Sequence, residues 1–202
     1  MSANHPGPLI VVAGPSGVGK STLVEALLRT TSLPLRRAVT ATTRAARPGE
    51  RPEVDYHYWT ADEFRRAIDA GRMLEHAVVH GADFYGTPRS EVEPYREAGT
   101  AVVLVIDVQG AENVRRLDPG GHLSVFVLPP SDAALEARLR GRGSEDEAKV
   151  QRRLRTARDE LARAGEFDHR IVNDDLPAAA AALEDLIRRE LDRPRPTHPK
   201  TL

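Results

Sequence analysis

Four short blocks of continuous apolar residues punctuate the chain. They are Leu9-Ile10-Val11-Val12-Ala13, Ala101-Val102-Val103-Leu104-Val105-Ile106, Leu123-Ser124-Val125-Phe126-Val127-Leu128 and Arg170-Ile171-Val172. Each is of strand length, and none alternates with polar residues as a half-exposed strand would, so both faces of the sheet they form are covered. Between them the spacing turns helical. Residues 22–28 follow the first block, and Ser131 or Asp132 caps a helix that carries Leu135 and Leu139 and stops near Gly141. A second helix is predicted from about 148 to 163, with Val150, Leu154, Ala157 and Leu161 on one stripe. A third follows Asp175, tolerates Pro177 in its first turn and carries Leu183, Leu186, Ile187 and Leu191. Strand and helix in alternation predict an α/β fold, a parallel sheet flanked by helices. Residues 40–89 break this rhythm: they are polar, rich in Arg and Tyr, and hold one helical segment near 61–70. They read as an insertion after the first helix that overhangs the carboxyl ends of the strands, where such sheets bind ligands.

The first block leads into Gly14-Pro15-Ser16-Gly17-Val18-Gly19-Lys20-Ser21, then into the helical segment that begins at Thr22. Strand, glycine-rich loop and helix together make a phosphate-binding loop of the G-x-x-x-x-G-K-[ST] type. Its backbone amides and the helix N-terminus suit the phosphates of a nucleoside triphosphate. Lys20 is placed to reach the β- and γ-phosphates, and the Ser21 hydroxyl to hold Mg²⁺. In the insertion, Arg44, Arg47, Tyr56 and Tyr85 offer guanidinium forks and phenol hydroxyls suited to a phosphate monoester. Taken alone, Arg44 and Arg47 would read as an exposed charged face. A triphosphate loop beside them favours an acceptor site, because a kinase must align acceptor and donor phosphates. Asp107 closes its apolar block at the position where such enzymes place a carboxylate near the metal.

Bulk properties narrow the partners. The chain has 202 residues, a net charge of −1 and no cysteine, with a sequence pI near 6.7. One α/β domain fits that length. The charge balance argues against a nucleic-acid partner, and disulfides and thiolate metal sites are excluded. No apolar run is long enough to span a bilayer, and the first residues lack the pattern of an export signal. No membrane association and a cytoplasmic location are expected. Residues 1–8 and the Arg/Pro-bearing 192–202 are expected to be flexible ends.

Further motifs stand in a telling order: Thr42-Thr43-Arg44, Arg47-Pro48-Gly49-Glu50, Asp55-Tyr56, Leu74-Glu75-His76-Ala77, Tyr85-Gly86-Thr87, Asp107-Val108-Gln109-Gly110, Arg138-Leu139, Gly141-Arg142-Gly143 and Ile171-Val172-Asn173-Asp174-Asp175. With the phosphate loop they resemble the guanylate kinases, phosphate-loop nucleoside monophosphate kinases, from residue 9 to about 191. The resemblance implies ATP-dependent phosphorylation of GMP, with Mg²⁺ accompanying ATP. It implies a core of about 9–39 and 93–191, a GMP-binding insertion at 40–92 and a mobile lid at 141–152. ATP would lie against Gly14, Pro15, Ser16, Gly17, Val18, Gly19, Lys20, Ser21 and Thr22, with Asn173 near its adenine. GMP would be held by Thr40, Arg44, Arg47, Tyr56, Glu75, Tyr85 and Thr87, the Glu75 carboxylate facing the guanine edge. Lys20, Arg44, Arg138, Arg142 and Arg153 would stabilise the transferring phosphoryl group, and Ser21 with Asp107 would serve the metal. The protein would be a monomer or a homodimer.

Three departures bear on the base. Val105 stands where family members usually carry an acidic residue that helps read the guanine amino group. The loop Gly81-Ala82-Asp83-Phe84-Tyr85-Gly86 is one residue longer than usual, which could bring Asp83 to the site in compensation. Arg51-Pro52-Glu53-Val54 replaces a glycine-containing turn. Val105 keeps open a kinase for another or modified purine monophosphate. The guanylate-kinase fold also serves as a non-catalytic interaction module, but that use goes with a degraded loop and missing lid arginines, and both are intact here.

Overall fold

The computed structural model describes residues 6–79, 83–118, 121–141 and 147–193. In chain order the elements are β1 (Leu9–Ala13), α1 (Lys20–Thr30), β2 (Leu35–Arg37), β3 (Ala41–Thr42), β4 (His57–Tyr58), α2 (Ala61–Asp69), β5 (Met73–Val79) and β6 (Asp83–Pro88). After them come α3 (Glu93–Glu97), β7 (Ala101–Val105), α4 (Val108–Leu117), β8 (His122–Leu128), α5 (Asp132–Arg140), α6 (Glu147–Ala162), β9 (His169–Val172) and α7 (Leu176–Asp192).

The central sheet has the order β2-β7-β1-β8-β9, and all of its pairings are parallel. Alternate residues of β1 point to opposite faces, which is why the run is continuously apolar. Ile10 and Val12 join Leu23 and Leu27 of α1, Leu135 and Leu139 of α5, Leu154 of α6 and Leu183 and Ile187 of α7. Leu9, Val11 and Ala13 face the other way, onto Val108, Ala111 and Val114 of α4 and onto Phe126 and Phe167. Side chains so fully withdrawn from water contribute about 1.5–3 kcal/mol each. The predicted flanked parallel sheet is therefore present, with one addition. The edge strand β2 pairs only with β7. Its three residues, Leu35-Arg36-Arg37, are half-buried, so it carries no apolar run to find.

Residues between β3 and β6 build a sheet of their own, in the order β4-β3-β6-β5. Its longest pairing is the antiparallel β5–β6 ladder, which sets Glu75 opposite Thr87 and Ala77 opposite Tyr85. The β3–β6 pairing sets Thr42 opposite Tyr85. The predicted helix near 61–70 is α2. Thr60 and Glu63 form a reciprocal capping box at its start. Phe64 and Ala67 bury its apolar face against Trp59 and Phe84. This small core holds the second sheet together, and β5 joins it to the first layer by packing on α4, where Asn113 Nδ2 donates to the His76 carbonyl at 2.7 Å.

Candidate active site

β1 runs out at Ala13, and the chain turns back through residues 14–19 into α1. Gly19, the residue before the helix, has φ 96° and offers no side-chain cap. The first-turn N–H groups of α1 are left to an outside anion. Lys20 folds across the loop, its Nζ donating to the Gly14 carbonyl at 2.5 Å and to that of Pro15 at 3.1 Å. Behind the loop, Asn173 Nδ2 donates to the Val18 carbonyl at 2.9 Å. Arg138 donates to the same carbonyl at 3.1 Å and to the Asn173 carbonyl at 2.9 Å. A Cβ on Gly19 would stand 2.5 Å from Asn173 Nδ2, so only glycine lets this brace approach.

Across the cleft the groups are side chains. Arg44 donates through NH1 and NH2 to the two Glu50 oxygens, both at 2.7 Å, and through Nε to the Tyr85 hydroxyl at 2.9 Å. Its guanidinium carbon lies 4.9 Å from the Tyr56 ring centre. Glu50 accepts in addition from the Arg47 amide and the Tyr58 hydroxyl, each at 2.8 Å. Burial pushes the Glu50 carboxyl up, but these hydrogen bonds and the Arg44 charge outweigh it and hold it at about 2. Burial and the Glu50 contact raise the Tyr58 hydroxyl to about 12, and burial raises that of Tyr56, with Tyr85 adding to it. Arg44 is thus fixed before any ligand arrives. The Arg47 guanidinium is exposed, and among the described residues it makes no hydrogen bond.

Glu75 lies deeper, 3 % exposed. The Thr87 hydroxyl donates to its Oε1 at 2.8 Å. Burial drives its carboxyl up; the Thr87 bond opposes this and the Asp107 charge adds to it, leaving it at about 7. A Cβ on Gly110 would come 2.9 Å from Glu75 Oε2, so that glycine lets the first turn of α4 close on the carboxylate. Asp107 caps this helix, accepting the Gly110 N–H at 2.7 Å.

One cavity joins these groups. From the loop and α1 it is lined by Gly14, Ser16, Gly17, Gly19, Lys20, Ser21 and Thr22. From the second sheet and its approaches come Thr40, Arg44, Arg47, Tyr56, Glu75, Ala77 and Tyr85, and from the end of β7 and the start of α4 come Val105, Ile106, Asp107 and Gln109. Helix α6 adds Arg153, Thr156 and Glu160. Of the expected site residues, Pro15 and Val18 belong to the loop without lining the cavity. Thr87 supports Glu75 from behind, and Arg138 and Asn173 brace the loop instead of facing the open space. Arg142 and the rest of residues 142–146 of the expected lid lie outside the described residues. Asp83 opens β6 opposite Val79 and does not line the cavity, so the compensation expected of it is absent. Residues 80–82 of that loop lie outside the described residues.

Sequence reasoning missed Ala77, Ile106, Gln109, Thr156 and Glu160. For Glu160 a signal existed. Arg153, Thr156 and Glu160 recur at i, i+3 and i+7, one residue behind the apolar stripe that packs α6 on the core. Burial raises the Glu160 carboxyl to about 7, Lys20 opposing and Asp107 adding to the shift.

The chemistry of the donor set can be tested against Mg²⁺. Ser21 and Asp107 line the same cavity, and Asp107 keeps Oδ2 clear of its helix cap. Among the described residues no group of three or more His, Cys, Asp or Glu side chains converges on a point. Mg²⁺ takes one or two protein oxygens and completes its octahedron with phosphates and water. The residues fit that ion as a companion of a triphosphate.

Comparison with known proteins agrees. The guanylate kinase family model matches residues 7–190. The chain is 47 % identical over 193 residues to the guanylate kinase of Leifsonia xyli subsp. xyli, covering 96 % of this chain and 74 % of that protein. It is 48 % identical over 183 residues to that of Rubrobacter xylanophilus, covering 91 % and 94 %. The crystal structure of guanylate kinase from Anaplasma phagocytophilum superposes with a TM-score of 0.76 at 32 % identity, covering 93 % of this chain and 88 % of that one. With the phosphate loop and a buried carboxylate lining one cavity, these similarities place the chain in the guanylate kinase family, among the nucleoside monophosphate kinases.

Proposed function

We propose that the protein transfers the terminal phosphoryl group of ATP to GMP or dGMP, yielding GDP or dGDP and ADP. An oxygen of the acceptor phosphate attacks the γ-phosphorus, the bond from that phosphorus to the β,γ-bridging oxygen breaks, and the electron pair leaves with ADP. No covalent enzyme intermediate is needed, so catalysis rests on alignment and charge. The observation that carries this reading is Glu75, a carboxylate almost fully withdrawn from water, lining the same cavity as Lys20.

In this reading the loop amides and Lys20 hold the donor phosphates. Arg44, Arg47, Tyr56 and Tyr85 hold the acceptor phosphate, and the Arg44–Glu50 pair keeps the fork aimed. Arg153, which lines the cavity, adds positive charge over the transferring group, as the resemblance implies for Arg142, while Arg138 acts through the loop it braces. Ser21 and Asp107 would hold the Mg²⁺ that accompanies ATP, and the ion would supply neutralising charge to the donor phosphates. Glu75 accepts from guanine N1–H and the 2-amino group together. Adenine offers neither donor, and would leave a buried carboxylate unpaired.

The test is a panel of monophosphates assayed with ATP and Mg²⁺. GMP and dGMP are expected as substrates, with AMP, CMP and UMP at least about a hundredfold worse in kcat/KM. Equal use of AMP would sink the base assignment. A second reading, a kinase for a modified purine monophosphate, has one observation behind it. Val105 lines the cavity and cannot accept a hydrogen bond, so Glu75 is left to read the 2-amino group. IMP, which lacks that group, is the arm that separates the two readings.

A further inference from the structure

Glu160 has no part in the chemistry above, yet its position is unusual for a carboxylate. It lines the cavity from α6 with Arg153 and Thr156, half-buried. Lys20, Ser16 and Asp107 line the same cavity, and the Lys20 and Asp107 charges and the Ser16 backbone N–H act on the Glu160 carboxylate. Lys20 and the loop amides are the groups that a donor triphosphate must use. A negative charge set among them repels a bare triphosphate, which carries a charge near −4, and satisfies part of the loop in its place. A triphosphate that arrives as its divalent-metal complex would carry less negative charge and would largely escape that repulsion. Asp107 adds a second negative charge, but one of its oxygens is held by the Gly110 N–H.

We infer that Glu160 makes the donor site select the triphosphate as its divalent-metal complex and turn away the metal-free form. It is a specificity-determining residue for the donor, not a catalytic one. Burial with the Asp107 charge puts its carboxyl at about 7, so at pH 8 it carries its charge. A prop that merely seated α6 against the loop would favour both forms of the donor equally. The inference rests on the donor-loop reading and is independent of which acceptor is used.

The experiment measures equilibrium binding of a fluorescent, non-hydrolysable ATP analogue at pH 8, without acceptor, in excess Mg²⁺ and in EDTA. Wild type is expected to prefer the Mg²⁺ complex at least about tenfold. Glu160→Gln is expected to cut that preference about tenfold, equivalent to about 1.4 kcal/mol, chiefly by tightening the metal-free form. Asp159→Asn removes the same charge one residue away, from an exposed position outside the cavity; the wild-type ratio is expected within twofold. An unchanged ratio in Glu160→Gln, or an equal loss for both forms, overturns the inference. Should that variant not fold, equal affinity of wild type for both forms overturns it as well. Binding of neither form by wild type takes down the donor reading itself, and this inference with it.

Discussion

The two halves of the cavity are built from different materials. The donor half is mainly backbone: consecutive residues, with left-handed turns at Gly14, Gly17 and Gly19. The acceptor half is side chain: Arg44, Glu50, Tyr56, Glu75 and Tyr85 come from separate segments and are brought together by a small sheet. Backbone amides recognise phosphate in any nucleotide. Side chains on a folded scaffold can distinguish one base from another. In the proposed function the first half therefore holds the triphosphate, and the second selects what it reacts with.

The sharpest break between the halves is expected at Lys20. Lys20→Ala removes the one full positive charge that the loop contributes to the transferring phosphates. Turnover is expected to fall roughly a thousandfold or more with every acceptor. The loss is to be read in kcat by a coupled ADP assay, with binding of GMP alone kept within about threefold of wild type. Comparable losses in both would show that the halves are not separable.

Glu75→Gln tests the other side. It keeps the shape and removes the charge that guanine requires, so kcat/KM for GMP is expected to drop about a hundredfold while ATP binding holds. The carboxyl sits at about 7 against an ordinary 4.5, and guanine favours its ionised form. Wild type at pH 7 should release about half a proton per GMP bound, read by calorimetry in buffers of different ionisation enthalpy. The variant should release none from this group. Stability moves oppositely. Because the folded state holds the Glu75 proton more tightly, stability from this group falls as pH rises from 4.5 to 7. Glu75→Gln is therefore expected to gain thermal stability relative to wild type at pH 8, and not at pH 4.

A smaller effect is expected from Glu50→Gln, which loosens Arg44 without touching substrate. The KM for GMP should rise about tenfold with a lesser change in kcat, as an alignment loss predicts. Urea unfolding should show about 1.5–3 kcal/mol less stability, the usual range for hydrogen bonds to charged groups. The Glu50 carboxyl is held at about 2, so its contribution is present above pH 4.5 and lost as pH falls toward 2. Wild type and variant should therefore converge in stability in acid.

The same contrast explains what could be read from the residues alone. The donor loop is eight consecutive positions with a strand before and a helix after, so pattern and mechanism coincide. The central strands were visible because both faces are buried. The second sheet was not, since β3 and β4 are two residues each and carry no periodicity. Glu75 is one glutamate among many until the fold buries it opposite Thr87, and only a family resemblance pointed to it. Arg138 and Asn173 match motif positions, but their placement behind the loop depends on how β9 and α5 pack. Glu160 was hidden because α6 was read for its apolar stripe and not for the polar one beside it.

Backbone strain follows the division too, and gives the smallest predicted effect. In the donor loop every left-handed residue is a glycine. On the acceptor side Glu53 holds φ 63°, in the turn where the family resemblance expects a glycine. For a residue with a Cβ this conformation costs about 1–2 kcal/mol. Glu53 recovers part of it by pairing with His57 at 2.6 Å, an exposed contact that contributes at most about 1 kcal/mol. Glu53→Gly removes both the strain and the pair, whereas Glu53→Ala keeps the strain and loses the pair. The glycine variant should exceed the alanine variant by about 1–2 kcal/mol in urea unfolding, and be as stable as wild type or up to about 2 kcal/mol more so. GMP kinetics should stay within twofold in the glycine variant, because glycine keeps the backbone N–H that donates to the Tyr56 carbonyl at 3.0 Å. If alanine equals glycine, the turn stores no strain, and the acceptor side differs from the donor loop in chemistry alone.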